Sequence, residues 1–306
     1  MLYYTAFKPG CQYYLLETRT IIIKIDLEKI LGYHPTEVIM DAGIRGNVAL
    51  ITGGSTGIGR GIALALAQEG VHIAIASRSP DPKVKEEIEA YGVKCLLLKA
   101  DVSQEAQIIT MVKETIAGLG RLDFYVNNAA AHWDEWAMQL TSEAWNHSLQ
   151  TNLTACVLGC REAGQHFIAQ GHGSILIIGS TARYAAAHKE ISYRVTKSAL
   201  YAYMEALAVE LAPHGIRVNL ITPGGFPSKL FDKFVNDHGG KEAEEAVANQ
   251  CPLRRIGKVE EIGATAVLLL SDKLSGYTTG SDYVIDGGYH LRPLELFTDD
   301  QIRELK

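Results

Sequence analysis

From residue 47 onward the chain alternates short apolar runs with longer segments in which apolar positions recur every three or four residues. Residues 48–52 are an apolar run ending in glycines. Residues 57–70 follow with Ile58, Ile62, Leu64, Ala65 and Leu66 at helical spacing. The alternation continues with strands predicted at 71–76, 94–99, 122–126, 174–179, 216–221 and 282–285, and helices at 81–91, 104–119, 142–170, 191–213 and 259–271. Apolar runs of this length mark strands buried on both faces, and intervening helices are what a covered parallel sheet requires. The pattern predicts an α/β fold, a Rossmann-type doubly wound seven-stranded parallel sheet in a single domain. Its ligands would bind at the carboxyl ends of the strands.

Two stretches break the alternation. Residues 1–44 read as an N-terminal extension to a domain at 45–306. The first 20 residues hold Tyr3, Tyr4, Tyr13 and Tyr14, a Lys8-Pro9-Gly10 turn and little periodicity, and 21–25 suits a short strand. Glu17, Asp26, Glu28, Glu37 and Asp41 are unlike the acidic-poor composition of a transit peptide, and no apolar core of a signal peptide is present. Two readings stay open: a poorly ordered or loosely packed segment, and translation that begins at Met40. The second stretch, about 225–250, is charged and helical. Phe226, Leu230, Phe231 and Phe234 are spaced for one apolar face, as a mobile lid over a cleft would be.

Composition narrows the partners. A formal net charge of -6 leaves no basic excess for phosphate contacts, so no nucleic acid is expected. No apolar run is long enough to span a membrane. Five cysteines without a framework suggest free thiols in a reducing, cytoplasmic setting, with Cys156 and Cys160 as buried core thiols. The histidines, among them His132, His147, His166, His172 and His188, have no metal-ligand spacing, so no metal is expected; most are expected at the surface or behind the site.

Candidate chemistry sits in the loops. Thr52-Gly53-Gly54-Ser55-Thr56-Gly57-Ile58-Gly59 lies between the first core strand and the first core helix. Gly53 permits a tight turn, Gly57 lets a pyrophosphate approach the backbone, Gly59 lets the helix sit near the sheet, and the helix N-terminus offers N–H groups to an anion. The second strand ends in Ser77-Arg78, where an NAD site usually has a carboxylate. A guanidinium with neighbouring hydroxyls would instead pair with a 2′-phosphate, which favours NADP with NAD as the alternative. Tyr193 and Lys197 are four apart and share a helical face. A tyrosine pKa of about 10 is high for proton transfer at neutral pH, and a fixed ammonium one turn away is expected to lower it. Such a pair alone is weak, because it recurs in many helices.

Taken together, residues 45–289 resemble the short-chain dehydrogenase/reductase family in its common form of about 250 residues. Thr52, Gly53, Gly57 and Gly59 match its TGxxxGxG pattern, and Tyr193 and Lys197 its YxxxK pair. Ser180 falls at its catalytic serine and Asn152 at its helix asparagine. Asp101-Val102 matches its adenine-side element, Asn127-Asn128-Ala129 its NNAG element, Pro223-Gly224 its PG turn, and 284–288 its ending. The resemblance implies interconversion of a ketone and a secondary alcohol, in the direction of carbonyl reduction with NADPH, and a homodimer or homotetramer built on the helices at 142–170 and 191–213. It implies that Tyr193 moves the proton, Ser180 stabilises the substrate oxygen, Lys197 also binds the nicotinamide ribose, and Asn152 holds a water of a proton relay. The implied cofactor set is Thr52, Gly53, Ser55, Thr56, Gly57, Ile58, Gly59, Ser77, Arg78, Asp101, Val102, Asn128, Ala129, Tyr193, Lys197, Pro223 and Gly224, with Ile221 beside the nicotinamide. Ala130 stands where the NNAG element has glycine, and Thr56 where many NADP-preferring members have a basic residue. Arg183, Tyr184 and His188, between Ser180 and Tyr193, are candidates to touch substrate; Trp133 and Trp136 are either pocket walls or ordinary rim aromatics. A 3-oxoacyl carrier-protein reductase is one specific alternative. An enoyl reductase is disfavoured by the four-residue Tyr–Lys spacing, and a non-catalytic dinucleotide-binding sensor or scaffold is the alternative of another class.

Overall fold

The computed structural model describes residues 3–8, 11–15, 23–25, 41–133 and 135–291. Backbone contacts divide the chain into two units, residues 1–41 and 42–306. In the first, β1 (Tyr3–Lys8), β2 (Cys11–Leu15) and β3 (Ile23–Ile25) form an antiparallel sheet in that order. The Lys8-Pro9-Gly10 stretch falls between β1 and β2, which pair Tyr4 with Tyr14. Of the predicted 21–25 strand, residues 21 and 22 lie outside the described residues.

The second unit holds a seven-stranded parallel sheet. Its strands are β4 (Val48–Thr52), β5 (His72–Ser77), β6 (Cys95–Lys99), β7 (Phe124–Asn127), β8 (Gly173–Ile178), β9 (Ile216–Pro223) and β10 (Asp282–Ile285). They lie in the order β10-β9-β8-β7-β4-β5-β6. The chain runs outward from β4 to β6, then returns to β7 on the other side of β4. The strand order therefore reverses between β4 and β7, and a crevice opens at their carboxyl ends.

The crossovers are α1 (Gly57–Gln68), α2 (Pro82–Glu89), α3 (Glu105–Leu119), α4 (Ser142–Leu149), α5 (Ala155–Gln170), α6 (Ile191–Leu211) and α9 (Val259–Leu270), with α7 (Lys229–Asp237) and α8 (Lys241–Asn249) inserted before the last. Side chains alternate across each strand, so the sheet has two cores. On one face Leu50, Tyr125, Ile175 and Val218 meet Met111 of α3, Phe167 of α5 and Leu200 and Met204 of α6. On the other, Ile51, Ile75, Val126 and Leu176 meet Ile62 and Leu66 of α1 and Ile262 and Leu269 of α9. Ala42 and Ile44 are buried in this second core.

Two elements differ from the periodicity. The segment read as one helix over 142–170 is interrupted by a π turn, Gln150–Thr154, between α4 and α5. Periodicity over nearly 30 residues is insensitive to one extra residue in a turn. The charged 228–250 stretch divides into α7 and α8 at Gly239-Gly240, whose φ values of 111° and 66° stop a helix.

Candidate active site

A cavity of about 750 Å³ follows the carboxyl edge of the sheet, from Arg78 and Asp101 beyond β5 and β6 to Tyr193 and Lys197 on α6. Of the residues expected to bind a dinucleotide, Gly53, Ser55, Thr56, Ile58, Ser77, Arg78, Asp101, Val102, Asn128, Ala129, Tyr193, Lys197, Pro223 and Gly224 line it. Thr52, Gly57 and Gly59 stand behind that wall and shape it. Thr52 Oγ1 accepts the N–H groups of Asn128 and Ala129, each at 3.0 Å, while Asn128 Nδ2 donates to the carbonyl oxygens of Thr52 and Gly53 at 2.9 and 3.2 Å. These bonds fasten β4 to β7 where the strand order reverses.

Two glycines of the loop are required by geometry. A Cβ on Gly59 would lie 2.5 Å from both Asn128 Nδ2 and the Gly53 oxygen. Gly57 has φ +55°, and a Cβ there would lie 2.8 Å from the Ser228 Cβ. The loop therefore accepts no side chain at either place. Thr56 opens α1 without a side-chain cap, so the first-turn N–H groups face the cavity as an anion cradle. Ser55 and Ser77 bring their hydroxyls to 3.1 Å of each other, with the exposed Arg78 next in sequence. Burial pushes the Asp101 carboxyl up, but the hydrogen bonds of Ser103, with Arg78 and His147 nearby, outweigh burial and hold it below the ordinary range. A glycine cradle, an uncapped helix N-terminus, and a hydroxyl–guanidinium group at one end fit a dinucleotide laid along this edge.

At the other end are Ser180, Tyr193 and Lys197. Ser180 follows β8 and accepts the Ala182 N–H at 3.1 Å, which opens the short turn Thr181–Arg183. Lys197 is 4% exposed; its Nζ donates to the Ile178 carbonyl at 2.8 Å and lies 5.7 Å from the centre of the Tyr193 ring. Burial pushes the Tyr193 phenol up to about 12, Ser180 pulling the other way by hydrogen bonding and Glu190 adding to the rise. Burial likewise pushes Lys197 down to about 8. The net shift of the phenol is thus upward where the sequence led one to expect a lowering: desolvation dominates at this buried group, and Lys197 is itself destabilised as a cation and bonded to a strand carbonyl.

Asn152 does not line the cavity. It is buried in the π turn, where its Oδ1 accepts the Ala131 N–H and its Nδ2 donates to the Ala131 carbonyl, both at 2.8 Å. Longer contacts of 3.4 Å reach Ser148 and Thr196. The side chain is committed to fastening the loop after β7. Irregular turns of this kind often serve functional sites.

Several residues behave otherwise than expected. Arg183 and Tyr184 do not face the cavity; both bond the Asp282 carboxylate, at 3.0 and 2.9 Å, and the Arg183 guanidinium stacks 3.4 Å over Tyr201. His188 packs on Trp136, and Trp133 on His147; of these four only His147 lines the cavity. Their places are taken by Ala182, Ala185, Ala187 and Glu190. His132, grouped by sequence with surface or supporting histidines, lines the cavity, its ring edge-on to Tyr193 with centres 5.0 Å apart. Its position in the loop after β7 was the available signal. Ser228, also missed, caps α7 by accepting the Phe231 N–H at 3.1 Å and rests on Gly57. Phe226, Leu230, Phe231 and Phe234 line the cavity from above. Cys95, Cys156, Cys160 and Cys251 are buried free thiols. Among the described residues no cluster could hold a metal ion and no helix is long and apolar enough to cross a membrane.

Comparison with known proteins agrees with this geometry. A family model described as enoyl-(acyl carrier protein) reductase matches residues 53–290. The 3-oxoacyl-[acyl-carrier-protein] reductase FabG of Staphylococcus aureus is 33% identical over 246 residues, 79% of this chain and 98% of that protein. A solved short-chain type dehydrogenase/reductase from Mycobacterium marinum is 35% identical, with a TM-score of 0.75 over 80% of this chain and 96% of its own. Levodione reductase is 26% identical, with a TM-score of 0.78 over 81% of this chain and 99% of its own.

Proposed function

The chain belongs to the short-chain dehydrogenase/reductase family, and from that premise we propose that it reduces a ketone to a secondary alcohol with NADPH. The observation that carries the proposal is a single cavity with the glycine loop, Ser77 and Arg78 at one end and Ser180, Tyr193 and Lys197 at the other. NADP over NAD is supported by Arg78 and by the absence of a carboxylate at Ser77.

The dinucleotide, when bound, supplies the hydride. Tyr193 Oη donates its proton to the carbonyl oxygen as negative charge develops there, and the Ser180 hydroxyl donates a hydrogen bond to the same oxygen. Lys197 holds the ribose side and returns a proton toward Tyr193. Asn152 acts at a distance: by binding both backbone groups of Ala131 it fixes the loop against which Tyr193 packs. The face of Phe226, Leu230, Phe231 and Phe234 closes over the substrate and excludes water. The buried free thiols suit a reducing cytoplasmic setting. Ile168 on α5, and Val195 and Val209 on α6, are exposed apolar side chains through which the chain would self-associate.

A 3-oxoacyl thioester on a carrier protein is a second substrate reading, favoured by the FabG likeness. Reduction of an enoyl carbon–carbon bond is disfavoured by the four-residue spacing of Tyr193 and Lys197. The test is NADPH and NADH oxidation followed spectrophotometrically against ketones and acetoacetyl thioesters, with Tyr193→Phe beside the wild type. Ketone reduction should fall by about 10²-fold or more in the variant while cofactor binding survives. Unchanged turnover would remove Tyr193 from the mechanism. A wild type that binds the dinucleotide and reduces nothing favours the sensor or scaffold reading.

A further inference from the structure

The cavity around Tyr193 is mostly apolar. Ala182, Ala185 and Ala187 present only methyl groups on one side, and Phe226, Leu230, Phe231 and Phe234 come from the lid on another. A ligand body here is an apolar one. Against that background the polar side chains near the phenol stand out. Ser180 hydrogen-bonds Tyr193, and Glu190, immediately before α6, acts on it electrostatically. Beside these and Lys197, His132 stands half-buried in the cavity wall, its ring perpendicular to that of Tyr193 with centres 5.0 Å apart.

His132 is also held in place. The preceding residue, Ala131, has both backbone groups bound by Asn152 at 2.8 Å, and Asn152 is buried in the π turn between α4 and α5. A rigid backbone one residue away restricts where the imidazole can point. A neutral imidazole donates from one ring nitrogen and accepts at the other, so it can bond either a carbonyl or a hydroxyl oxygen. Because the two rings are in contact, His132 can reach atoms close to the carbonyl that Tyr193 serves, and not a distant tail.

Resting on the ketone-reductase reading above, we propose that His132 is a specificity-determining residue that hydrogen-bonds a second substrate oxygen, one or two carbons from the carbonyl being reduced. The substrate class is then an apolar ketone with an adjacent hydroxyl or carbonyl, or with a carbonyl in the β position. A 3-oxoacyl thioester falls within it.

The test compares ketones that share a carbon frame. Cyclohexanone is set against 2-hydroxycyclohexanone, and 2,2-dimethylcyclohexanone against 2,2-dimethylcyclohexane-1,3-dione, with kcat and KM measured for the wild type, His132→Ala and His132→Gln. The wild type should prefer at least one oxygenated partner by about tenfold in kcat/KM, the effect of one well-placed hydrogen bond. His132→Ala should abolish that preference, chiefly through KM, the readout being the ratio between oxygenated and plain ketone within each protein, and retained reduction of the plain ketones shows that the variant is folded. His132→Gln should restore part of it. The pair that shows the preference distinguishes the adjacent from the β oxygen. No preference in the wild type, or the same preference in His132→Ala, overturns the role of His132 and leaves ketone reduction standing. Reduction of no ketone, or turnover unaffected by Tyr193→Phe, overturns the underlying reading as well.

Discussion

Lys197 should make the cofactor-free protein less stable than it would be with an apolar side chain in the same place. The lysine is almost fully buried, and burial, opposed only slightly by Cys156, pushes its pKa from 10.5 down to about 8. That difference corresponds to about 3 kcal/mol of penalty on the charged form at neutral pH. Replacing it with methionine removes the penalty but also removes the 2.8 Å bond from the ammonium to the Ile178 carbonyl, a loss of about 2 kcal/mol for a charged donor. Lys197→Met should therefore be about 1 kcal/mol more stable than the wild type at pH 7. The pH dependence gives the sharper test. Below about 8 both the folded and the unfolded chain carry the proton, and the full penalty applies. Between about 8 and 10.5 only the unfolded chain binds it, so wild-type stability gains on the variant as pH rises. Above 10.5 both forms are neutral and the advantage of the variant is gone. Urea unfolding of both proteins at a series of pH values from 7 to 10.5 reads the difference directly, since their other titrating groups are the same. A difference that stays constant across this range would refute the assignment of the strain to a buried ammonium.

Arg78→Ala should raise KM for NADPH about tenfold, the lower end of a charge-assisted contact because the guanidinium is exposed, and leave KM for NADH within about twofold; equal changes for the two cofactors would remove Arg78 as the selector. Sedimentation of the wild type should give a dimer or tetramer, and Val209→Glu, which charges a residue 76% exposed on α6, should shift it to smaller species; a monomeric wild type would refute association through this face.

Much of the fold was legible because the sheet is buried on both faces. Val48–Thr52 has no solvent side, so it reads as an unbroken apolar run, and the other strands announce themselves similarly. The glycine loop was legible because steric exclusion leaves glycine alone at positions such as Gly59. What escaped was orientation. Arg183 and Tyr184 sit between two site residues in sequence, yet Asp282, almost a hundred positions away, turns both outward. His132 carries no spacing signal at all; its place depends on Asn152 gripping Ala131 across 21 residues. The short sheet of β1, β2 and β3 also lacked a clear alternation, although its tyrosines suit strands.

The spacing of Tyr193 and Lys197 invites a simple account in which the cation acidifies the phenol. Their surroundings argue for another. One cause, burial, moves both groups, and in opposite directions, because it favours the neutral form of each: the tyrosine keeps its proton and the lysine loosens its own. For reduction that is a suitable resting state. The acid beside the substrate oxygen is fully loaded, and the group behind it is close to neutral pH in its readiness to give a proton up. On the proposed mechanism, acidification of Tyr193 would be left to charge that develops during the reaction, near the oxygen that Ser180 would also bond. On that same mechanism Lys197, whose Nζ donates to the Ile178 carbonyl, would be the reserve from which the phenol is reloaded.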